Sequence, residues 1–535
     1  MRKCERWPEE NGIKFSVLIP TRDRLDLLKT AVASVQNQTY ENWELVIVDN
    51  CSEEDVGGYA ASLADSRIVF YRQSEAVSVT KNWNTANGLA SGDYRIMLGD
   101  DDALLPKALE ILAERISRHG HPEIVSFMAY EYLQPHVDPQ NREGNVALSV
   151  PFLLDDNTEE MYLSMDWRRR SIEACFSFEK VLGYNMQFYC YSRKLVQRLE
   201  RYGAFYEPPY PDYYTTSMAM LLAETFLYIP EVITVIGVTP KSYGCYYRNN
   251  NEKEGMKFHK EENFRSFAPL SVREMLCSVD EMDTAAFATF ALAAKRLKGP
   301  YPSLKGYYKA VLKREALYRT VEELRFLTDQ EMAAHITEAE KRELYAYAQE
   351  LKNTRKGAPA ANPEKPICFA SLNGLLKNVE GVEKALLERS DRQYGDIDEW
   401  LKAEGLEIIT ANYAGRSIRV WGAYPRGIYL KQKLRKAGFL VNGCIDRMAL
   451  EKNFAEKTFA ENTVLSPKQA LSRNREEYIV IPLLSRHAEI LEWLKQGEYE
   501  PEKDFLYMGV SGGKPEGEMN GKALHFTSIP TGERD

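Results

Sequence analysis

A chain of 535 residues is longer than one hydrophobic core supports, so two or three domains are expected. With 44% hydrophobic and 11% aromatic residues it has ample material for packed cores, which excludes wholesale disorder. A formal net charge of -9 argues against a general nucleic-acid binder, and no nucleic-acid partner is expected.

Eight cysteines run from Cys4 to Cys444 without a C-x-x-C pair, as reduced buried thiols of a cytoplasmic protein do, and unlike a disulfide framework or a zinc site. The opening MRKCERWPEENG has no apolar signal core. The longest apolar run, Met218 to Val238, contains Glu224, Pro230 and Glu231. A bilayer span would need about 20 residues largely free of such groups. The chain reads as soluble, with room for peripheral association with a membrane.

FSVLIP (Phe15 to Pro20) opens the series as an apolar strand, followed by Leu25, Leu28, Val32 and Val35 at helical spacing. WELVIVDN (Trp43 to Asn50), RIVFYR (Arg67 to Arg72) and DYRIMLGDDD (Asp93 to Asp102) read as further strands. Apolar strands alternating with helices indicate a mostly parallel sheet covered on both faces. Ligands of such sheets bind beyond the carboxyl ends of the strands. Asp49, Asn50, Asp100, Asp101 and Asp102 all fall at such ends. From Phe264 to Lys352 the pattern is helical, and NTRKGAPAANPEKP (Asn353 to Pro366) reads as a linker. A second α/β pattern follows, with SIRVWG, FLVNGCID and EYIVIPL as strands and GIYLKQKLRKAG and HAEILEWLKQ as helices. Ser466-Pro467 suits an N-cap and first helical residue. The expected divisions are 1–262, a helical extension at 263–352, the linker at 353–366, a smaller α/β domain at 367–509 and a disordered tail at 510–535.

Three adjacent carboxylates repel one another and resist burial, so Asp100 to Asp102 need either solvent or a cation. One reading is an acidic loop in which an aspartate caps the helix begun by LLPKALEIL. The other is a site for Mg2+ or Mn2+, held by one or two carboxylates, with waters and substrate phosphate oxygens completing its shell.

The blocks FSVLIPTRDR, ELVIVDNCS, VSVTKNWNTANGLASGDY and MLGDDDALLP, in this order within Phe15 to Arg248, resemble the nucleotide-binding half of family 2 glycosyltransferases. The resemblance implies an α/β chain with the GT-A nucleotide-diphospho-sugar transferase fold, then the helical segment and a smaller Rossmann-like domain. It implies that Pro20, Thr21 and Arg22 line the base and ribose pocket and that Asp49 accepts a hydrogen bond from the base. Asn82 and Asn84 of KNWN would position the nucleotide sugar. Asp101 would be the main metal-contacting carboxylate, with Asp102 assisting and Asp100 turned towards the ribose. The family often writes D-x-D or D-A-D-D here, whereas Gly99 replaces the first acid, which leaves the ligand set open.

Inverting transfer needs a carboxylate to take the acceptor's proton, because a sugar hydroxyl has a pKa far above 7. The family places an aspartate for this well after the metal motif, and Asp212 in EPPYPDYYTTSMAM stands there, with Pro211 where a glutamate is usual. Pro-Asp before a helical run also suits a helix cap. Lys241, Ser242 and Arg248 are candidates for a lid over the diphosphate, with an ordinary solvated loop as the alternative. Trp167 with Arg168 to Arg170 falls where acceptor-side segments lie in the family. The Q-x-x-R-W signature of processive synthases is absent, which favours single additions.

SIRVWGAYPRGIYL resembles the opening of a Rossmann-like domain, with Gly422 for a tight turn, Gly427 for close helix packing and Asp446 in the ribose position. Tyr424 in place of the central glycine would crowd a pyrophosphate, so scaffolding, oligomerisation or partner recognition are its other roles. The expectation is an inverting glycosyltransferase using Mn2+ or Mg2+, a nucleotide-diphosphate sugar donor and a glycan or lipid-linked glycan acceptor. It would act in bacterial surface polysaccharide synthesis, in the cytoplasm or at the inner face of the membrane. The alternatives are a catalytically weak nucleotide-sugar-binding scaffold, favoured by Gly99 and Pro211, and a bifunctional protein whose C-terminal domain binds NAD(H).

Overall fold

The computed structural model describes residues 12–137, 143–151, 160–179, 182–248, 264–278, 281–316, 318–354, 367–413, 415–421, 425–445, 477–482, 487–500 and 503–508. The described residues fall into two compact units, those up to Val382 and those from Glu383 onward.

The first unit is built on β1 (Phe15–Thr21), β2 (Trp43–Asp49), β3 (Ile68–Arg72) and β4 (Tyr94–Met97), all parallel in the order β3-β2-β1-β4. The crossovers are α1 (Leu25–Gln36), α2 (Val56–Ser62) and α3 (Val79–Leu89). Helix α1 buries Leu28, Ala31, Val32 and Val35, a stripe at the helical period, against Phe15, Val17 and Ile19 of β1. Each of the leucine, valine, isoleucine and phenylalanine side chains among these contributes about 1.5–3 kcal/mol by leaving water. Strands β1 and β2 are covered on both faces, as their unbroken apolar sequence requires.

Beyond β4 the sheet departs from the expected parallel pattern. Strand β9 (Tyr189–Ser192) runs antiparallel between β4 and β6 (Ile124–Leu133), and β10 (Phe226–Val238) lies parallel to β6. With the short β5 (Ala103–Leu104), β7 (Asn145–Ser149) and β8 (Met161–Tyr162) the sheet has ten strands. Among the described residues this part also holds the helices α4 (Ala108–Arg118), α5 (Met165–Phe176), α6 (Arg193–Leu199), α7 (Pro211–Leu222) and α8 (Tyr243–Arg248). The long apolar run divides into the end of α7 and β10, and among the described residues no helix is long and apolar enough to cross a membrane.

The helices Glu281–Leu297, Leu304–Glu315, Val321–Leu327 and Glu338–Thr354 belong to the same unit, around a core that includes Tyr307, Tyr308, Leu312, Leu324 and Leu344. Beyond the linker expected at 353–366, of which 355–366 lie outside the described residues, the chain rejoins the sheet. The Val146 amide donates to the Ile367 carbonyl at 3.0 Å, and the Tyr132 hydroxyl to the Phe369 carbonyl at 2.7 Å. The first unit therefore closes after the expected linker, at Val382.

The second unit holds a separate parallel sheet of β11 (Ser417–Trp421), β12 (Val441–Ile445), β13 (Glu477–Ile481) and β14 (Phe505–Tyr507), in the order β12-β11-β13-β14. Helices Pro425–Lys436 and His487–Gln496 accompany it. A buried Arg419–Glu477 pair ties β11 to β13, with Nη2 to Oε1 at 2.8 Å. Gly427 is buried in the helix Pro425–Lys436, while Gly422, Tyr424, Asp446, Ser466, Pro467 and the tail at 510–535 lie outside the described residues.

Candidate active site

After β4 the chain turns before entering β5, and the turn buries all three acids: Asp100 is 4% exposed, Asp101 7% and Asp102 2%. The charge they bring is met from β1 and the loop after it. Thr21 Oγ1 donates to Asp100 Oδ2 at 2.7 Å. Arg24 Nη1 donates to Asp100 Oδ1 at 3.0 Å and lies 3.5 Å from Asp101 Oδ2. The Ser242 hydroxyl donates to that same Asp101 oxygen, and Arg24 also donates to the Lys241 carbonyl.

Asp102 is held differently. Gly99 N and Gln187 Nε2 donate to its Oδ2 at 2.5 and 2.6 Å, and Gly237 N donates to its Oδ1 at 2.8 Å. Its Oδ1 thus fastens the turn to β10, while its Oδ2 closes the turn on itself and ties it to Gln187. Burial raises the Asp101 and Asp102 carboxyls above the usual range; neighbouring carboxylates add to this, and Arg24 opposes it at Asp101. Facing one guanidinium among the described residues, the three acids leave a surplus of buried negative charge that a divalent cation fits. Among those residues no group of three or more His, Cys, Asp or Glu side chains is arranged to hold a metal. A cation here would rest on one or two carboxylates and draw its other ligands from substrate phosphate and water.

Gly99 has a steric cause. A Cβ there would lie 2.7 Å from Asp101 Oδ1 and 2.9 Å from Asp102 Oδ2, so the turn can fold over itself only without a side chain. Gly237 has a stricter one. Its Cβ would stand 1.8 Å from the Asp101 carbonyl oxygen, because β10 passes directly against the acidic turn.

At the end of β2 the fully buried Asp49 accepts from the Ser52 amide at 3.0 Å and from its hydroxyl, and pairs with Arg72. Asn50 closes the next loop, its Nδ2 donating to the Val77 carbonyl at 2.9 Å and its Oδ1 accepting from the Val77 amide at 2.8 Å. The two asparagines of KNWN do not converge. Asn82 is buried, reaching the Val48 carbonyl at 3.3 Å and accepting from Gln73 at 3.2 Å. Asn84 instead grips Tyr206, donating to its carbonyl at 2.8 Å and accepting from its amide at 3.1 Å. Pro20 and Arg22 are partly exposed, and the Arg22 Nε lies 3.3 Å from Asp23.

Asp212 is the second residue of α7, where a carboxylate also suits the helix dipole. Its Oδ1 accepts from the Tyr213 amide at 2.9 Å. By area it is half-buried, yet surrounding atoms desolvate it enough to push its carboxyl up to about 7. No cation among the described residues is paired with it. Two residues earlier, the Tyr210 hydroxyl meets the Tyr243 hydroxyl at 2.5 Å, and Tyr243 follows the Ser242 that holds Asp101. The segment carrying Asp212 and the turn gripping the acids are joined in this way. Lys241 is exposed at that turn, and Arg248 ends α8 with its side chain outside the description.

Arg168 corrects an expectation. It is buried and donates to the Met220 and Ala223 carbonyls at 2.9 and 2.8 Å, satisfying carbonyls at the end of α7 that lack helical partners. Arg170 pairs with Asp166. Arg168 serves the fold, its guanidinium buried on backbone carbonyls rather than presented at the surface.

Arg24, Gln187 and Gly237 were not legible as site residues. For Arg24 the signal existed: T-R-D-R offers two arginines, and the second, not Arg22, reaches the acids. Gln187 carried none, since its partner lies 85 residues away in sequence.

A mixed α/β sheet with buried acids after its fourth strand is the architecture of the nucleotide-diphospho-sugar transferase fold. Residues 16–198 match the model of glycosyl transferase family 2. The putative colanic acid biosynthesis glycosyl transferase WcaA of Escherichia coli (strain K12) is 35% identical over 104 residues, 19% of this chain and 37% of that protein. The GalNAc(5)-diNAcBac-PP-undecaprenol beta-1,3-glucosyltransferase of Campylobacter jejuni is 36% identical over 106 residues, 19% of this chain and 34% of that protein. The chain thus spans roughly a third of the length of these relatives. The crystal structure of S. aureus TarS 1-349 in complex with UDP is 14% identical, covering 67% of this chain and 99% of that one with a TM-score of 0.36. So slight a superposition adds nothing to the family match.

Proposed function

We propose that this chain is an inverting, metal-dependent glycosyltransferase that moves one sugar from a nucleotide-diphosphate donor to a hydroxyl of a glycan or lipid-linked glycan. The observation that carries the reading is the Asp212 carboxyl, pushed to about 7 and joined through Tyr210 and Tyr243 to the turn around Asp101. A general base works best when its pKa lies near the operating pH.

In the transfer, the acceptor oxygen bonds to the anomeric carbon as the bond from that carbon to the diphosphate oxygen breaks. The hydroxyl proton passes to the Asp212 carboxylate, and the electron pair leaves with the diphosphate. A single displacement of this kind inverts the anomeric centre. Asp101, with Asp100 beside it, would hold Mn2+ or Mg2+, whose charge offsets the negative charge growing on the diphosphate. Asp102, bonded to two backbone amides, keeps the turn in shape. Thr21, Arg22 and Pro20 would border the base and ribose, with Asp49 held in place for the base by Ser52 and Arg72. Lys241 and Ser242 would meet the diphosphate from a lid, and Ser242 would yield its bond to Asp101 as the donor arrives.

The names of the two bacterial relatives, one for colanic acid biosynthesis and one for an undecaprenol-diphosphate glycan, support a polysaccharide or lipid-linked glycan acceptor. The second unit is assigned a Rossmann-like role in oligomerisation or partner recognition.

The test is a thermal-shift screen of nucleoside diphosphates and their sugars with and without Mn2+, followed by transfer assays. Binding to the native state raises its melting point. Asp212→Asn is expected to keep the donor shift and lose transfer by about a hundredfold or more. Unchanged transfer in that variant, or no shift with any donor, defeats the proposal.

A further inference from the structure

Between α3 and the segment that leads to Asp212 lies a cleft of about 570 Å³. Ser78, Lys81 and Gly88 form one side, Tyr206 and Pro208 the other, and Phe267 contributes at the margin. Its size is that of a small-molecule site. Thr21, Asp49, Asp100, Asp101 and Asp102 are not among its lining residues, whereas Asn84, which the resemblance gives to the nucleotide sugar, lines it with its amide bonded to Tyr206.

The walls are firmly placed. Asn84 holds both backbone groups of Tyr206, and the Trp83 ring packs edge-on against Tyr206 at 5.2 Å. Asp212 follows Pro208 by four residues, so at about 3.3–3.6 Å per residue the chain between them spans at most ~14 Å. A molecule in the cleft lies within an oligosaccharide's reach of the base.

Charge and shape narrow what it would take. Lys81 shares the lining with Glu200 and Glu207, so a ligand of either sign meets repulsion. Each glutamate is fixed through Oε1, Glu200 by Asn87 at 3.1 Å and Glu207 by Arg296 at 2.7 Å. Fixed carboxylates and an ammonium suit a neutral molecule rich in hydroxyls. The half-buried Phe267 ring and Pro208 offer an apolar surface for the C–H face of such a molecule.

We infer that this cleft is a subsite for a neutral sugar ring of the acceptor glycan, remote from the hydroxyl that is glycosylated; the inference rests on the glycosyltransferase reading. Binding energy gathered there orients the reacting hydroxyl towards Asp212.

Gly88→Trp tests it, because a Cβ at Gly88 meets no heavy atom within 4 Å and the exposed helix accepts the side chain while the indole fills the cleft. The probe is the lipid-linked oligosaccharide fraction of the source cells with a radiolabelled nucleotide-sugar donor. Gly88→Trp is expected to keep the wild-type thermal shift with nucleoside diphosphate and Mn2+, and the slow hydrolysis of donor by water, while acceptor KM rises about tenfold or more. Glu200→Gln, which retains an acceptor for Asn87, is expected to raise acceptor KM with kcat unchanged. An unchanged acceptor KM in Gly88→Trp overturns the subsite, as does a parallel loss of donor binding. A wild-type protein that shows no donor shift defeats the glycosyltransferase reading instead, so the two failures are told apart.

Discussion

Asp212 carries an acid-base cost that the rest of its helix does not share. A carboxyl near 3.9 in the unfolded chain and about 7 when folded binds more protons in the folded state between those values. Stability therefore falls as pH climbs from about 4 to about 7, and the penalty is complete above that window. Asp212→Asn keeps a carbonyl for the Tyr213 amide and removes the charge. It is expected to be about 1–3 kcal/mol more stable than the wild type at pH 8 and equal to it near pH 4, read from urea midpoints. Equal stability at both values would remove the desolvated carboxyl from the account. The same ionisation sets activity: kcat/KM should rise with unit slope below pH 7 and level off above it. Gly99 is the second residue whose identity has one cause. The Asp102 oxygen that a Cβ would crowd is bonded to two donors and cannot turn aside without losing them. Gly99→Ala is expected to cost about 1–3 kcal/mol and to weaken the Mn2+-dependent donor shift, checked by the urea midpoint and the thermal-shift assay.

Strand β10 determines where the acidic turn sits, because it passes the Asp101 backbone at a distance only glycine allows. At Gly237 the obstructing atom is a carbonyl oxygen rather than the end of a side chain, so neither neighbour can rotate away. Gly237→Ala should therefore be costlier than Gly99→Ala, about 3 kcal/mol or more, and should lower the yield of folded protein; a loss below 1 kcal/mol in the urea midpoint would contradict the close approach. Elements of this kind explain what the sequence made legible. Strands β1, β2 and β3 were readable because each is an apolar run bounded by turn residues, and their ends differ from expectation by only a residue. Strand β4 was read through Asp102, yet it stops at Met97, and the acids occupy a turn whose shape depends on Gly99 and on β10. Strand β9 is four residues long and pairs antiparallel with partners far away in sequence, so no local period announced it. The acids and Asp212 could be named from composition and resemblance. Arg24, Gln187 and the Tyr210–Tyr243 contact could not, because they depend on which distant segments the sheet brings together.

At the scale of the whole molecule, the boundary between units follows from what the sheet still needs after the helical segment. Residues 367–382 return to the first unit, where Ile367 pairs with Val146 and Phe369 accepts the Tyr132 hydroxyl. Leu375 and Val382 are fully buried and Leu372 is 5% exposed, so the segment carries apolar side chains out of water as well as making hydrogen bonds. A chain cut after residue 354 would expose those partners and leave β7 without its bridge to Ile367, whereas a chain cut after Val382 keeps both. The lost backbone bond, the lost tyrosine bond and the apolar burial together amount to about 3–5 kcal/mol. A fragment ending at Val382 is expected to match the first melting transition and the donor shift of the full chain. A fragment ending at residue 354 should melt lower by that free energy or aggregate through the uncovered sheet. Equal urea midpoints for the two fragments would place the boundary at the linker and deny the returning segment any part in the transferase unit.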